Sequence, residues 1–211
     1  MVSTSTDRRR LRSDSTRAAL LSAASALFAE RGFAGATLDA IAEQAGVNKA
    51  LIRYHFGGKQ GLYSKVLQDG IDAGRALFEP VRASSAPPRE RFAAYVRALC
   101  ELGFSRREFV FILVREEMTG GRNIEPEVFG DFAQFFLIDR EILEAGMAAG
   151  VFRNVDPHAS HLSLVGSLVF FLISEPLRQA RADVPASDVQ REAYVRHVEE
   201  LFLRGLGIDP A

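Results

Sequence analysis

The segment spanning residues 37–56 constrains the fold more than any other part of the chain. It contains two short stretches, 37–45 and 48–55, with apolar residues at the spacing of one helical face. Only Gly46 and Val47 lie between them, and the second stretch is mostly polar on its outer side. Two short helices joined by a tight turn predict a helix-turn-helix, in which the second helix enters the major groove of duplex DNA.

The remaining sequence also predicts helices. It lacks alternating runs of Val, Ile and Thr, and Gly or Pro residues recur at intervals that suit ordinary helices. The fold class is therefore predicted to be all-α. The expected helices cover about 15–31, 37–45, 48–55, 59–78, 88–103, 105–119, 126–149, 157–182 and 187–205.

The charges are distributed unevenly along the chain. Residues 1–65 contain ten Lys or Arg against five Asp or Glu, although the whole chain has a net charge of −1. A basic head on an acidic body predicts that only the head meets a polyanion. We expect a disordered basic arm over 1–14, the helix-turn-helix domain over 15–60 and a helical domain over 61–211.

The helix-turn-helix segment resembles a known family at specific positions. The matching residues run in one register through TLDAIA, AGVNK, IRYHF, Lys59 and the pair Leu62-Tyr63. This pattern is similar to the DNA-binding signature of the tetracycline-repressor (TetR) family, and RYHFGGK resembles its YHFG-K subset. The resemblance covers about residues 15–65. It implies an N-terminal three-helix DNA-binding domain followed by a helical domain that binds an effector and forms a dimer.

The resemblance assigns roles to the residues of the predicted DNA interface. Phosphate contacts are implied for Thr37, Tyr54, His55 and Lys59. Lys49 and Arg53 would reach base edges, guanine being the expected partner of a bidentate Arg. Ala50 and Leu51 would touch thymine methyl groups, and Asn48, the expected cap of the recognition helix, belongs to the same interface.

Several of these residues have alternative roles. Arg53 contacts only phosphate in the alternative, since phosphate bonds outnumber base bonds. Leu51 then packs inward, and His55 serves as a structural hydrogen-bond partner. The arginines of the arm either enter the minor groove or belong to a solvated tail; they are Arg8, Arg9, Arg10 and Arg12.

The central helices carry many of the chain's aromatic residues. By resemblance, this region is the usual place for an effector cavity, and the lining predicts a largely apolar or aromatic small molecule. The alternative for each of these residues is plain core packing. The candidate effector residues are Phe104, Phe109, Phe111, Arg115, Met118, Phe132, Phe136, Met147 and His161, with Glu116 and Asp139 as further polar candidates.

The last two long helices have apolar faces that predict a dimer. One face carries Leu162, Val165, Leu168, Val169 and Leu172, and the other carries Tyr194, Val198, Leu201 and Phe202. A symmetric pair would place two recognition helices in major grooves about 34–36 Å apart, so the expected operator is an inverted repeat. The expected function is repression that a ligand relieves by favouring a conformer with weaker DNA affinity.

Other classes of protein fit the sequence less well. A metal-dependent enzyme would need more ligands than His158 and His161, and the sequence contains no phosphate loop or nucleophile elbow. We therefore predict no enzymatic activity, cofactor or metal. An effector-independent regulator, an activator and a helical adaptor without DNA binding remain alternatives. One cysteine, Cys100, and no run long enough to span a bilayer predict a cytoplasmic protein.

Overall fold

A computed structural model describes residues 3–181 and 187–207 of the chain. These residues form helices and no strand; one isolated antiparallel bridge joins Phe152 and Gly207. The all-α prediction is confirmed. The helices in chain order are α1 (Ser3–Gly35), α2 (Leu38–Gln44), α3 (Ala50–Phe56), α4 (Lys59–Arg82), α5 (Pro88–Ser105), α6 (Arg107–Thr119), α7 (Pro126–Ala148), α8 (Pro157–Ile173), α9 (Glu175–Gln179) and α10 (Ser187–Leu206).

The first helix is longer than the sequence pattern predicted. It begins at Ser3, so the described part of the expected disordered arm over 1–14 is helical, while residues 1 and 2 lie outside the described chain. No Gly or Pro interrupts the chain between residues 3 and 31, which allows the helix to extend. Near its end the helix kinks at Gly32, where φ is 69°. Glycine takes this left-handed conformation without the steric cost that a Cβ atom adds.

The structure also corrects two predicted helix ends. The fourth helix was expected to stop before Pro80 but continues to Arg82, because burial of Val81 keeps the last turn packed. The helix expected over 157–182 instead divides into α8 and α9 around Ser174. Pro176 has no N–H for the carbonyl of Leu172, and the Arg107 guanidinium donates to that oxygen instead, at 3.0 Å.

The chain folds into two compact units whose boundaries differ from the expected division at residue 60. Unit 1 contains the described residues up to Gly70 together with Glu108–Phe129. Unit 2 contains Ile71–Arg107 and the described residues from Gly130 onward. Most of α6 therefore belongs with the helix-turn-helix. Sequence order did not show this, because the long-range contacts that place α6 leave no local pattern.

Each unit has its own core. In unit 1, α1 to α4 and α6 supply the buried side chains, which include Leu20, Leu27, Phe28, Ile41, Ile52, Leu62 and Ile112. In unit 2, α5 and α8 supply much of the core, which includes Phe78, Phe92, Tyr95, Phe135, Phe152, Leu164 and Leu168. No helix in the described ranges is both long and apolar enough to cross a membrane.

Candidate nucleic-acid interface

Helices α2 and α3 form the predicted helix-turn-helix. Gly46, with φ 66°, makes the turn between them, and the Val47 amide donates to the carbonyl of Ala42 at 3.0 Å. Ile52 is fully buried and holds α3 against the rest of unit 1. The turn and this single anchor fix α3 in place while leaving most of its surface to solvent.

The exposed surface of α3 is the predicted DNA-reading face. Lys49, Ala50 and Arg53 are exposed, and the Tyr54 side chain is 79% exposed. Leu51 is half-buried, which is compatible both with packing and with contact to a base. The structure therefore brings the candidate base-reading residues together on one solvent-facing helix.

Two polar side chains cap the helices of this motif. Thr37 Oγ1 accepts a hydrogen bond from the Ala40 amide at 3.2 Å, and Asn48 Oδ1 accepts from the Ala50 amide at 2.8 Å. The cap predicted at Asn48 is therefore present. A hydroxyl that accepts one bond still has its proton to donate, so Thr37 remains able to bind a phosphate oxygen.

An ion pair that the sequence analysis missed lies across the motif. Lys49 Nζ is 2.8 Å from Oδ2 of Asp39, which lies in the first turn of α2. Both side chains are more than half exposed. Sequence spacing gave no sign of this pair, because it joins residues ten positions apart across a turn.

The remaining predicted contacts lie at the end of α3 and the start of α4. The His55 ring packs edge-on against Tyr54, with centroids 4.9 Å apart. Lys59 Nζ donates to the carbonyl of Ala34 at 3.3 Å and lies 4.7 Å from the centroid of the Phe33 ring. Burial lowers the pKa of Lys59. The structure thus gives Lys59 a structural role that the sequence analysis did not foresee.

Comparison with known families supports this description of the motif. Residues 20–66 match the family "Bacterial regulatory proteins, tetR family", and residues 85–171 match "Tetracyclin repressor-like, C-terminal domain". Together the two matches cover more than half of the chain. The chain belongs to the TetR family. It is therefore a sequence-specific DNA-binding transcriptional regulator and not an enzyme.

Individual proteins similar to this TetR-family regulator cover nearly its whole length. The HTH-type transcriptional repressor NicS of Pseudomonas putida is 29% identical over 92% of this chain and 93% of its own. The structure of the ketosteroid regulator KstR2 of Mycobacterium tuberculosis matches with a TM-score of 0.75 at 22% identity, over 92% and 95% of the two chains. The structure of AibR in complex with isovaleryl coenzyme A and operator DNA matches with a TM-score of 0.71 at 20% identity, over 88% of this chain and 97% of the AibR chain. Both structural matches show the shared fold.

The candidate effector residues of this regulator divide between the two units. Unit 1 contains Phe109, Phe111, Arg115 and Met118, and unit 2 contains Phe104, Phe132, Phe136, Met147 and His161. The Arg115 guanidinium donates to the carbonyl oxygens of Ala29 and Glu30 near the end of α1. Met118 is 82% exposed, which does not fit a residue that lines a pocket.

Other candidates in this set are occupied by packing. Phe109 is buried where Gly70 leaves room for its ring, because a Cβ atom at Gly70 would lie 2.3 Å from it. Phe104 packs against Phe171 and Tyr194 and lines an open groove of about 580 Å³. Phe109 therefore follows the alternative of plain core packing, whereas Phe104, which lines a groove, stays a candidate for effector binding.

The polar candidates in unit 2 form a buried pair. His161 Nδ1 lies 3.1 Å from Asp139 Oδ2, and the Phe136 ring packs edge-on against His161. Asp139 is 1% exposed, and its Oδ1 has no hydrogen-bond partner among the described residues. Burial raises the pKa of Asp139, and the bond from His161 partly opposes that rise. A buried acceptor without a donor is costly, so a donor from elsewhere would stabilise this site.

The exposed apolar surface of α8 and α10 differs from the predicted dimer faces. Leu168, Leu172 and Val198 are buried within the protomer, so the prediction was wrong for these three. Helix α8 is apolar on two sides, and the pattern did not show which side meets the core. The exposed apolar side chains of this region are Leu162, Phe170, Ile173, Leu177, Val189 and Leu201.

Proposed function

We propose that the protein is a homodimeric repressor that binds an inverted-repeat operator and leaves it when an effector binds. The observation that carries this proposal is the surface of α3, on which Arg53 and Tyr54 are exposed while Ile52 holds the helix in place. An anchored helix with a polar outer face suits the major groove. The name of NicS, a repressor that matches the chain over most of its length, supports repression.

Within this proposal, the interface residues divide by the part of DNA that they contact. Lys49 and Arg53 reach base edges, with Ala50 and Leu51 against thymine methyl groups. Phosphates are bound by Thr37, Tyr54, His55 and Lys59, and Lys59 exchanges its bond to the Ala34 carbonyl for the phosphate. Exposed Arg10 and Arg12 extend the basic surface along α1, whereas the side chains of Arg8 and Arg9 lie outside the described residues.

Dimer formation through α8 and α10 completes the operator-reading unit. A second copy of the chain would cover exposed Leu162, Phe170 and Ile173 of α8 and Leu201 of α10. Phe170 is 69% exposed, and large apolar patches on a protein surface mark interaction sites. Two recognition helices held at a fixed distance require such a pair, because half-sites lie about 34–36 Å apart. The regulator acts in the cytoplasm, where it meets DNA.

The effector is a small, largely apolar or aromatic molecule that binds in the helical body. Support comes from the rings of Phe132 and Phe136 and from the pair of His161 and Asp139. Asp139 Oδ1, which has no partner among the described residues, would accept a hydrogen bond from the ligand and orient it. The AibR structure contains isovaleryl coenzyme A, and KstR2 is named a ketosteroid regulator. Isovaleryl coenzyme A and ketosteroids both have apolar parts. Release of the protein from its operator by a ketosteroid supports a largely apolar effector; release by polar metabolites alone contradicts it.

The central experiment is selection of bound sequences from a random duplex pool by the purified protein. Enrichment of an inverted repeat with half-sites in successive major grooves is the expected result. Weak, salt-sensitive binding without enrichment would contradict operator reading. With the operator in hand, Arg53→Ala is expected to weaken specific binding by about 1–3 kcal/mol and leave random DNA nearly unaffected. Equal losses on both would make Arg53 a phosphate contact.

A further inference from the structure

The ion pair between Asp39 and Lys49 lies beside the recognition helix, and of its two members only Lys49 has a predicted role in DNA binding. We propose that the two side chains together read one G·C base pair in each half-site, with Lys49 on guanine and Asp39 on the paired cytosine. This inference rests on the proposed insertion of α3 into the major groove. It makes Asp39 a specificity-determining residue, although its negative charge opposes binding to phosphates.

Stability does not account for this pair. Its Nζ–Oδ2 distance is 2.8 Å, but the two side chains are 51% and 75% exposed. Exposed ion pairs contribute little to folding, because water and salt screen them and two side chains must be held in one geometry. A carboxylate beside a DNA-reading helix also repels the phosphates nearby. The competing explanation is that Asp39 stabilises the first turn of α2 by its charge, as acidic residues do near helix N-termini.

The chemistry of the pair fits one edge of a G·C base pair. An ammonium group has only donors, and a carboxylate has only acceptors. In the major groove, guanine presents the acceptors N7 and O6, and its cytosine presents the N4 amino donor. O6 and N4 are joined by the hydrogen bond of the base pair, so they lie about 2.9 Å apart. This spacing matches the 2.8 Å between Lys49 Nζ and Asp39 Oδ2.

The same pair discriminates against other DNA. Guanine presents two adjacent acceptors before the cytosine donor, whereas adenine presents N7 alone beside its N6 donor, so an ammonium that also contacts the carboxylate loses one acceptor on an A·T pair. Away from the operator, the Asp39 carboxylate competes with phosphates for Lys49. That competition lowers affinity for random sequences, because each phosphate contact contributes to non-specific binding.

The test uses the operator selected above and measures binding of all four base pairs at every position of a half-site. Asp39→Ala removes the carboxylate, and Glu43→Ala is the matched control, since it removes an equal charge from an exposed position on the same helix. Lys49→Met and the double variant Asp39→Ala/Lys49→Met complete a cycle. Circular dichroism of each variant reports whether α2 stays folded.

The expected result is one G·C position per half-site at which Asp39→Ala reduces discrimination about tenfold, while Glu43→Ala does not. Asp39→Ala also binds random DNA more tightly and steepens the salt slope by about 1. In the Lys49→Met background, the loss of Asp39 has no further effect on base preference. If Asp39→Ala and Glu43→Ala change base discrimination equally, or if discrimination changes at no position, the pair does not read a base. Asp39 then only stabilises the first turn of α2. If no inverted repeat is selected, operator reading itself fails, and this proposal fails with it.

Discussion

The two units of the chain are stabilised by different kinds of contact. In unit 1, buried polar groups connect distant parts of the sequence, because the Tyr63 hydroxyl donates to Glu116 at 2.6 Å. Asn123 donates to the same carboxylate through its backbone N–H and through its side-chain Nδ2. In unit 2, the centre consists of rings, and Phe78 lies 5.0 Å from both Tyr95 and Phe135. Unit 1 has ring contacts as well, of Phe28 and Phe33 with Tyr63, and unit 2 has the polar pair of Asp139 and His161, so the contrast concerns the central contacts of each unit and not its whole core.

The polar network of unit 1 suits the reading of DNA. A buried, satisfied polar network accepts few alternative geometries, because a displaced partner leaves a buried group without its bond. A DNA-reading unit benefits from such rigidity, since its helix must meet base edges at fixed distances. Unit 2 is closely packed around its rings, since a Cβ atom at Gly74 would lie 2.5 Å from the Phe135 ring.

Loss of a central ring in unit 2 gives the largest expected effect. Phe78→Ala is expected to lower the free energy of unfolding by about 3–5 kcal/mol, because the ring is buried and contacts two others. The control is Phe129→Ala, an exposed position that should change stability by less than about 0.5 kcal/mol. Chemical denaturation measures both. Equal effects of the two variants would show that ring packing does not stabilise unit 2.

A smaller loss is expected from the polar network of unit 1. Tyr63→Phe removes the hydroxyl that donates to buried Glu116 and should cost about 1–3 kcal/mol, because the carboxylate loses a partner that water cannot replace. Tyr54→Phe is the matched change at an exposed tyrosine and should be nearly neutral. A neutral Tyr63→Phe would mean that the network does not specify unit 1.

The sequence predicted unit 1 well where the relevant contacts are local. The turn at Gly46 and the cap at Asn48 lie within a few residues of the helices that they define, and the structure bears both out. The Asp39–Lys49 pair escaped prediction because a turn brings its members together. Arg115 was assigned to the effector because its contacts with α1 are more than eighty residues away in the chain.

Unit 2 was less predictable because the contacts that define it join residues far apart in the sequence. Helix α8 is apolar on more than one side, so periodicity alone did not tell Leu168, which is buried, from Phe170, which is exposed. The break at Ser174 depends on Pro176, which the pattern contains, and on Arg107, which reaches it from another helix. Nothing local marked which aromatic residues would pack as core and which would line an open groove.

The pH dependence of the free energy of unfolding tests the pair of Asp139 and His161 in unit 2, and its expected effect is smaller. The ordinary pKa of aspartate is about 3.9, and burial raises the pKa of Asp139 in the folded chain against the opposing effect of His161. At a pH between the ordinary pKa and the raised pKa, Asp139 keeps its proton in the folded chain and has released it in the unfolded chain. The free energy of unfolding therefore falls as pH rises through that window, by at most about 1.4 kcal/mol per pH unit.

Asp139→Asn keeps a hydrogen-bonding side chain but removes this titration. The difference in unfolding free energy between the wild type and the variant should shift in favour of the variant as pH rises from about 4. The titratable groups beside Asp139 are His161, which contacts it directly, and Tyr95 and His158 nearby. Denaturation at several pH values measures it. A difference independent of pH would show that Asp139 does not carry the raised pKa.

Labelling of Cys100 distinguishes opening of unit 2 from opening of the whole chain. Burial raises the pKa of this thiol to about 12, and the thiolate is the reactive form, so labelling in native buffer should be at least about 100-fold slower than in denaturant. A reporter for unit 1 comes from Ser64→Cys in a Cys100→Ser background, since Ser64 Oγ is buried without a partner among the described residues. If the aromatic core of unit 2 opens before the polar network of unit 1, Cys100 reacts at lower denaturant concentration than the cysteine introduced at Ser64. Identical profiles would mean that the two units unfold as one, and the contrast between them would then concern function and not stability.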